Sequence, residues 1–344
     1  MILSLLLWIF VAVLATAILW KGSEWLEHAS EGLSIYYELP NIVQGALVVA
    51  IGSSFPELAT VVVSALVHGE FDLGVAAIVG SAIFNILIIP AAAGLVSEKP
   101  LESNRDLVYK EAQFYIISVA VLIITFSFAA IFNPVASSSS ETIILGEMDR
   151  LLALLPLILY GFYIFIQYQD TIEYESGIDP QQVNPLKQWG LLSVSLVVIV
   201  VGVEMLVRSA IEFGRLLDTP SFLWGISVVA AGTSIPDAFV SIRKARKGDA
   251  ETSLANVLGS NIFDLLVCIP VGVLIVGTTV INFTVAAPLM GALTLATLFL
   301  FSFMRTNMTL GRRESMALVV LYIIFLVWMG LENFDVIDSI PSLP

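Results

Sequence analysis

Four short polar segments interrupt an otherwise apolar chain: GSSFPE (52–57), GSAIFN (80–85), GTSIPD (232–237) and GSNIFD (259–264). They bring together the hydroxyls of Ser53, Ser54, Ser81, Thr233, Ser234 and Ser260, the amide of Asn85, and the carboxylates of Glu57, Asp237 and Asp264. These are hard oxygen donors, suited to Ca2+, Na+ or K+ rather than to zinc or copper. The pairs Ser53–Glu57, Ser81–Asn85 and Ser260–Asp264 are spaced i, i+4, so each pair shares one helix face. Pro56 and Pro236 lack an amide hydrogen. With Gly52 and Gly232 four residues earlier, they predict helices whose hydrogen-bond ladder is interrupted, freeing backbone carbonyls as further ligands. Gly80 and Gly259 predict close approach of neighbouring helices.

The elements that must hold these groups are membrane helices. Of the 344 residues, 58% are hydrophobic and 13% charged, against roughly 25% charge in a soluble domain, and the mean hydropathy is +0.94. Stretches long enough to span a bilayer, about 20 residues each, fall near 2–34, 41–67, 73–96, 113–132, 151–168, 190–214, 220–242, 252–276, 280–303 and 315–332. Ten helices are expected, and the alternation of a β-barrel is missing. A charged side chain near the bilayer centre costs about 2.5–3.5 kcal/mol on the lenient insertion scale. Three carboxylates there make sense when cations neutralise them.

The chain also repeats itself. Sliding residues 22–57 by 180 aligns GSEWL with GVEML (202–206), Pro40 with Pro220, Gly45 with Gly225, and VVAIGSSFPE (48–57) with VVAAGTSIPD (228–237). Eleven of the 36 pairs are identical. A shift of 179 aligns GSAIFNIL (80–87) with GSNIFDLL (259–266). Each half holds five spans, an odd number, so the second half enters the membrane inverted. The expected organisation is an N-terminal five-helix repeat (1–168), a cytoplasmic linker (169–189) and a C-terminal inverted repeat (190–344). Matching sites of inverted repeats meet near the bilayer midplane, where rocking of one part exposes them to alternate sides. The first span has a counterpart in the sixth, which makes it part of the fold rather than a cleaved leader.

Orientation follows from the basic residues. With the N-terminus outside, Lys21, Lys99, Arg105, Lys110, Lys187, Arg243, Lys244, Arg246, Lys247, Arg305, Arg312 and Arg313 fall on the cytoplasmic side, leaving Arg150, Arg208 and Arg215 outside. Both termini are expected outside a multi-pass chain in a prokaryotic plasma (inner) membrane.

These paired motifs resemble the two α-repeats of the calcium/cation antiporter superfamily, the sodium/calcium exchangers, and the resemblance covers nearly the whole chain. It implies that Glu57 and Asp237 are the central Ca2+ ligands, flanked by Ser53 and Thr233. It implies further that Ser54, Ser81, Asn85, Ser234, Ser260 and Asp264 shape neighbouring Na+ sites, and that the Ala50 and Ala230 carbonyls take part. The transported ions are then Ca2+ and Na+, with no permanently bound cofactor. The first and sixth helices would slide against an eight-helix core. The pairing of Glu57 with Asp237, together with Asp264, resembles the potassium-dependent sodium/calcium exchangers. Three ionised carboxylates balance one Ca2+ and one K+, whereas a protonated Asp264 leaves Ca2+ alone sufficient. Exchange of protons for Ca2+ or another divalent cation is the competing reading.

Other classes fit less well. An intramembrane hydrolase is disfavoured because no histidine recurs in the polar cluster and neither GxSxG nor GxGD occurs. A cation channel could share the ligands, but inverted repeats with broken helices favour a carrier. Basic residues are too few and scattered for nucleic acid in a chain of net charge -14, and the lipid bilayer and the cations are the expected partners, with no obligate protein partner evident. Cys268, the single cysteine, reads as a small core residue. Glu24 and Glu204 recur in both halves, as path-lining or helix-end groups. His28 and His68 read as surface positions at helix ends. The stretches 169–188 and NPVASSSSE (133–141) read as solvated loops, and RKARK (243–247) as an orienting, headgroup-contacting cluster.

Overall fold

The computed structural model describes residues 2–37, 50–97, 99–103, 110–136, 143–170, 184–248, 250–306, 308–333, 336–337 and 340. Pro40, Gly45, Arg105, the expected start of the second span (41–49), most of the linker and the serine run of the outer loop lie outside them.

The fold is almost wholly helical. Helices α1 (Ile2–Tyr36), α2 (Ala50–Ser53), α3 (Phe55–Leu66), α4 (Phe71–Val96), α5 (Ala112–Phe132) and α6 (Arg150–Asp170) form the first half. The second comprises α7 (Pro185–Leu217), α8 (Ser221–Trp224), α9 (Ala230–Arg246), α10 (Ala250–Phe263), α11 (Ile269–Val276), α12 (Phe283–Arg305) and α13 (Arg312–Asn333). Among the described residues, nine helical stretches are long and apolar enough to cross a membrane, and α3 is a shorter apolar helix. Their bounds follow the expected spans, but α7 starts at Pro185, where the Asn184 side chain accepts from the Lys187 N–H at 3.2 Å. Helices α6 and α7 thus extend into the two ends of the stretch 169–189.

Helices α1 and α7 pack along each other, burying Ala12, Ala15, Leu19, Leu26, Ile199, Val203 and Leu206 in a second cluster that also takes in Ala59 and Val63 of α3 and Leu73 and Ala77 of α4. Their contact is reciprocal. A Cβ on Gly22 would stand 2.8 Å from Ile199, and one on Gly202 would stand 2.9 Å from Leu19. Shifting by 180 carries Gly22 to Gly202 and Leu19 to Ile199, so one contact is the image of the other.

Two small sheets repeat the relation. Strand β1 (Leu101–Glu102) pairs antiparallel with β5 (Thr309–Leu310), while β3 (Leu145–Met148) pairs antiparallel with both β2 (Pro134–Val135) and β4 (Thr279–Asn282). The 179 shift places β1 on the middle of β4. Each cross-half pairing ties a strand after a half's third span to the segment before the other half's fifth span, and because the halves are inverted the two sheets cap opposite ends of the bundle. The larger apolar core lies among α4, α5, α6 and α10 to α13. Helix α4, with 78% of an 18-residue apolar stretch buried, is the interior post, whereas only 17% of such a stretch in α1 is covered.

Candidate functional site

Helix breaks place the polar groups, and the two halves break differently. In the first half the helix stops at Ser53; Ser54 leaves helical geometry with φ -95° and ψ 9°, and α3 restarts with Pro56 in its first turn. Proline suits a first turn, where its missing N–H has no helical partner to lose. Glu57 sits in the same turn, where the exposed N–H groups and the helix dipole favour a carboxylate.

In the second half the expected interruption at Gly232 and Pro236 is absent. Helix α9 runs unbroken from Ala230 to Arg246 through Pro236, and the irregularity lies upstream as a π-helical turn over Gly225–Val229. A proline inside a helix removes one hydrogen bond without necessarily unwinding it. Pro236 cannot donate to the Gly232 carbonyl, so that oxygen loses its helical donor although the helix continues. The Ala230 carbonyl, which the resemblance implies takes part in binding, accepts from the Thr233 hydroxyl at 3.2 Å and keeps a second lone pair. Ala50 opens the short α2, one turn before the break. A second π-helical turn begins at Asp264 and runs to Cys268, while its counterpart in α4, around Asn85, stays α-helical. Single π turns occur often at functional sites because they re-aim side chains.

The four segments converge. Ser81 stands 2.7 Å from Ser234 and donates weakly to Glu57 Oε1 at 3.4 Å. Ser53 and Ser260 stand 3.3 Å apart. Thr233 faces Glu57, Ser260 faces Asp237, and Ser54 faces Asp264. Glu57, Asp237, Asp264, Ser54, Ser81, Asn85, Thr233, Ser234 and Ser260 are each at most 2% exposed, and Ser53 is half-buried. Close packing makes this possible at Gly80, where any side chain would run into the Ile226 carbonyl and Ala230. The equivalent role of Gly259 is not seen. Nothing comes within 4 Å of a Cβ there, and Ala46, the counterpart of Ile226 at the 180 shift, lies outside the described residues.

Six buried oxygens of this cluster have no hydrogen-bond partner: Ser54 Oγ, Glu57 Oε2, Asn85 Oδ1, both carboxylate oxygens of Asp237, and Asp264 Oδ2. Unpartnered buried oxygens are costly, and carboxylates most of all. All six can accept from a proton or coordinate a cation. Among the described residues no three acidic, histidine or cysteine side chains close into one metal cluster. The three carboxylates are therefore neighbours rather than a common cage, and a cation here draws on hydroxyl and carbonyl oxygens as well.

Sequence reasoning passed over two groups. Asn261 is fully buried and bridges Asn85, the Ala82 carbonyl and Tyr115. The signal was present in the repeat, since Asn261 replaces Ala82 at the matched position. His68, expected as a surface residue, is half-buried, with Nε2 2.8 Å from Glu204 Oε2, and Arg208 reaches the other oxygen of Glu204 at 3.1 Å. Its partner lies 136 residues away, which no local pattern reveals. Glu24, by contrast, is exposed and pairs with Lys21 at 2.6 Å, and His28 is exposed. Cys268 is buried as expected, and its thiol lies 3.8 Å from Asp264 Oδ1.

Comparison with known proteins gives consistent matches. The sequence pattern of the family described as "Sodium/calcium exchanger protein" matches residues 7–169 and 187–331. An uncharacterized membrane protein of Methanocaldococcus jannaschii is 28% identical over 91% of this chain and 94% of its own. The sodium/calcium exchanger MaX1 of Methanosarcina acetivorans is 25% identical over 92% and 97%. Sodium/potassium/calcium exchanger 4 of Mus musculus is 35% identical over 38% of this chain and 22% of its own. Among solved structures, the sodium-calcium exchanger NCX_Mj soaked with Na+ and Sr2+ superposes with a TM-score of 0.63 at 25% identity, covering 94% of this chain and 99% of that one.

Proposed function

We propose that this chain, which belongs to the sodium/calcium exchanger protein family, is a secondary antiporter that moves Ca2+ against Na+ by opening one buried site to the two sides of the membrane in turn. The observation that carries the reading is the set of six unpartnered buried oxygens where the two halves meet. Cations supply what those oxygens lack. Ca2+ takes Glu57 and Asp237 as its charged ligands, with Ser53, Thr233 and the Ala50 and Ala230 carbonyls beside them. Na+ ions take Ser54, Ser81, Asn85, Ser234, Ser260 and Asp264. Ser81 touches both Glu57 and Ser234, so the ligand sets overlap and one load excludes the other. An inward Na+ gradient then expels Ca2+.

Helices α1 and α7 meet through the matched Gly22–Ile199 and Gly202–Leu19 contacts and are taken as the moving unit against the remaining helices. The halves are taken as 1–168 and 190–344, with a cytoplasmic linker and both termini outside a prokaryotic plasma membrane; the distribution of Lys and Arg supports that orientation. The cycle needs no partner beyond the cations and the bilayer.

Co-transport of K+ is a second reading, favoured by the Asp237 and Asp264 substitutions of the second half and by the partial match to potassium-dependent relatives. Proton exchange for Ca2+ is the alternative. Purified protein in liposomes loaded with Na+ should take up radioactive Ca2+ from a Na+-free medium. Uptake that follows a pH gradient and ignores Na+ would overturn the sodium reading, and rates unchanged on removing K+ would overturn the potassium one.

A further inference from the structure

Asn85 presents an unpartnered buried oxygen, yet an amide can as easily turn its N–H groups the same way, and N–H groups repel a cation. What fixes its orientation is a hydrogen-bond chain through three helices. The Ala82 carbonyl can only accept, so Asn261 must turn Nδ2 toward it, at 3.0 Å. The other Nδ2 hydrogen goes to the Tyr115 hydroxyl at 3.2 Å. Asn261 then has only Oδ1 to offer Asn85, whose Nδ2 donates to it at 3.0 Å. Asn85 Oδ1 is thereby left for the site, one turn along the face that carries Ser81.

The Tyr115 hydroxyl accepts the bond from Asn261 on a lone pair, whichever way its own hydrogen turns. Tyr115, Asn261 and Asn85 are all fully buried, so no water competes for these bonds.

We infer that Asn261, held by Tyr115 and the Ala82 carbonyl, is a positioning residue that locks Asn85 with its oxygen toward the transported Na+. This rests on the proposed role of Asn85 as a Na+ ligand. The test is Na+/Ca2+ exchange in liposomes with Asn261→Ala, Tyr115→Phe, Asn85→Ala and the double variant Asn85→Ala/Asn261→Ala, each checked for a monodisperse, thermally cooperative fold. Asn261→Ala should raise the half-saturating Na+ concentration up to about tenfold, the upper scale of one lost neutral hydrogen bond, and leave the half-saturating Ca2+ concentration within about twofold. Tyr115→Phe should shift Na+ the same way by a smaller factor, which decides the matter if Asn261→Ala does not fold. In the Asn85→Ala background, losing Asn261 should change nothing more, because the oxygen it positions is gone. Unchanged Na+ dependence in folded Asn261→Ala or Tyr115→Phe, an equal loss for both ions, or additivity in the double variant overturns the inference. Insensitivity to Asn85→Ala removes the proposed Na+ ligand as well, whereas sensitivity to Asn85→Ala alone sinks only the positioning role.

Discussion

The hydroxyls of Ser81 and Ser234, one from each half of the chain, stand 2.7 Å apart at the centre of the candidate site. The repeat predicts a second such contact between their counterparts, Ser260 and Ser54. Instead Ser260 meets Ser53, at 3.3 Å. The change of one residue accompanies the break at Ser54, which turns the first-half segment while α9 continues unbroken. The halves are related in sequence but are not equal donors.

Because Ser81 contacts both Ser234 and Glu57, Ser81→Ala should weaken apparent affinity for Ca2+ and for Na+ together, by about tenfold each. Exchange rates measured across a range of both ions check this; a shift confined to one ion contradicts a shared ligand.

Glu57→Gln and Asp237→Asn should each reduce Ca2+ exchange at least about 100-fold while the protein stays folded, since each replaces a charged ligand by a neutral one. The wild type should also be stabilised by Ca2+, by about 2.7 kcal/mol at 100 times the dissociation constant. Thermal unfolding in detergent, with Ca2+ and then with chelator, should show that gain in the wild type and its loss in both variants.

The reciprocal contact of α1 and α7 predicts matched damage. Gly22→Val and Gly202→Val both push a side chain into the facing Ile199 or Leu19 and should each destabilise by about 1–3 kcal/mol, the usual scale of overpacking. Gly161→Ala, with nothing within 4 Å of the new carbon, is the control and should leave the unfolding temperature near wild type. Markedly unequal effects at positions 22 and 202 would contradict the symmetry.

Asp264→Asn removes the third carboxylate and restores the residue type found at Asn85. On the potassium reading it should abolish any stimulation of exchange by K+ and keep Na+-driven Ca2+ uptake, which parallel assays in K+-containing and K+-free media check.

Composition and spacing determined much of this protein. Twenty-residue apolar runs leave little choice but helices across a bilayer, because unpaired backbone groups cannot face lipid, and the matched motifs at shifts of 180 and 179 wrote the inverted halves into the chain. The oxygen donors were legible for the same reason: carboxylates and hydroxyls stand out where every neighbour is apolar. Tertiary structure alone decided which donors meet. A proline signals a weakened ladder but not whether the helix stops, as at Ser54, or runs on, as through Pro236 with the distortion displaced to Gly225–Val229. That outcome depends on packing around each helix, including Gly80 against the Ile226 carbonyl. The link of His68 to Glu204 and the bridge from Asn261 to Asn85 and Tyr115 join residues 136 to 176 positions apart. Such contacts depend on how whole helices are rotated and set against one another, which no local spacing records.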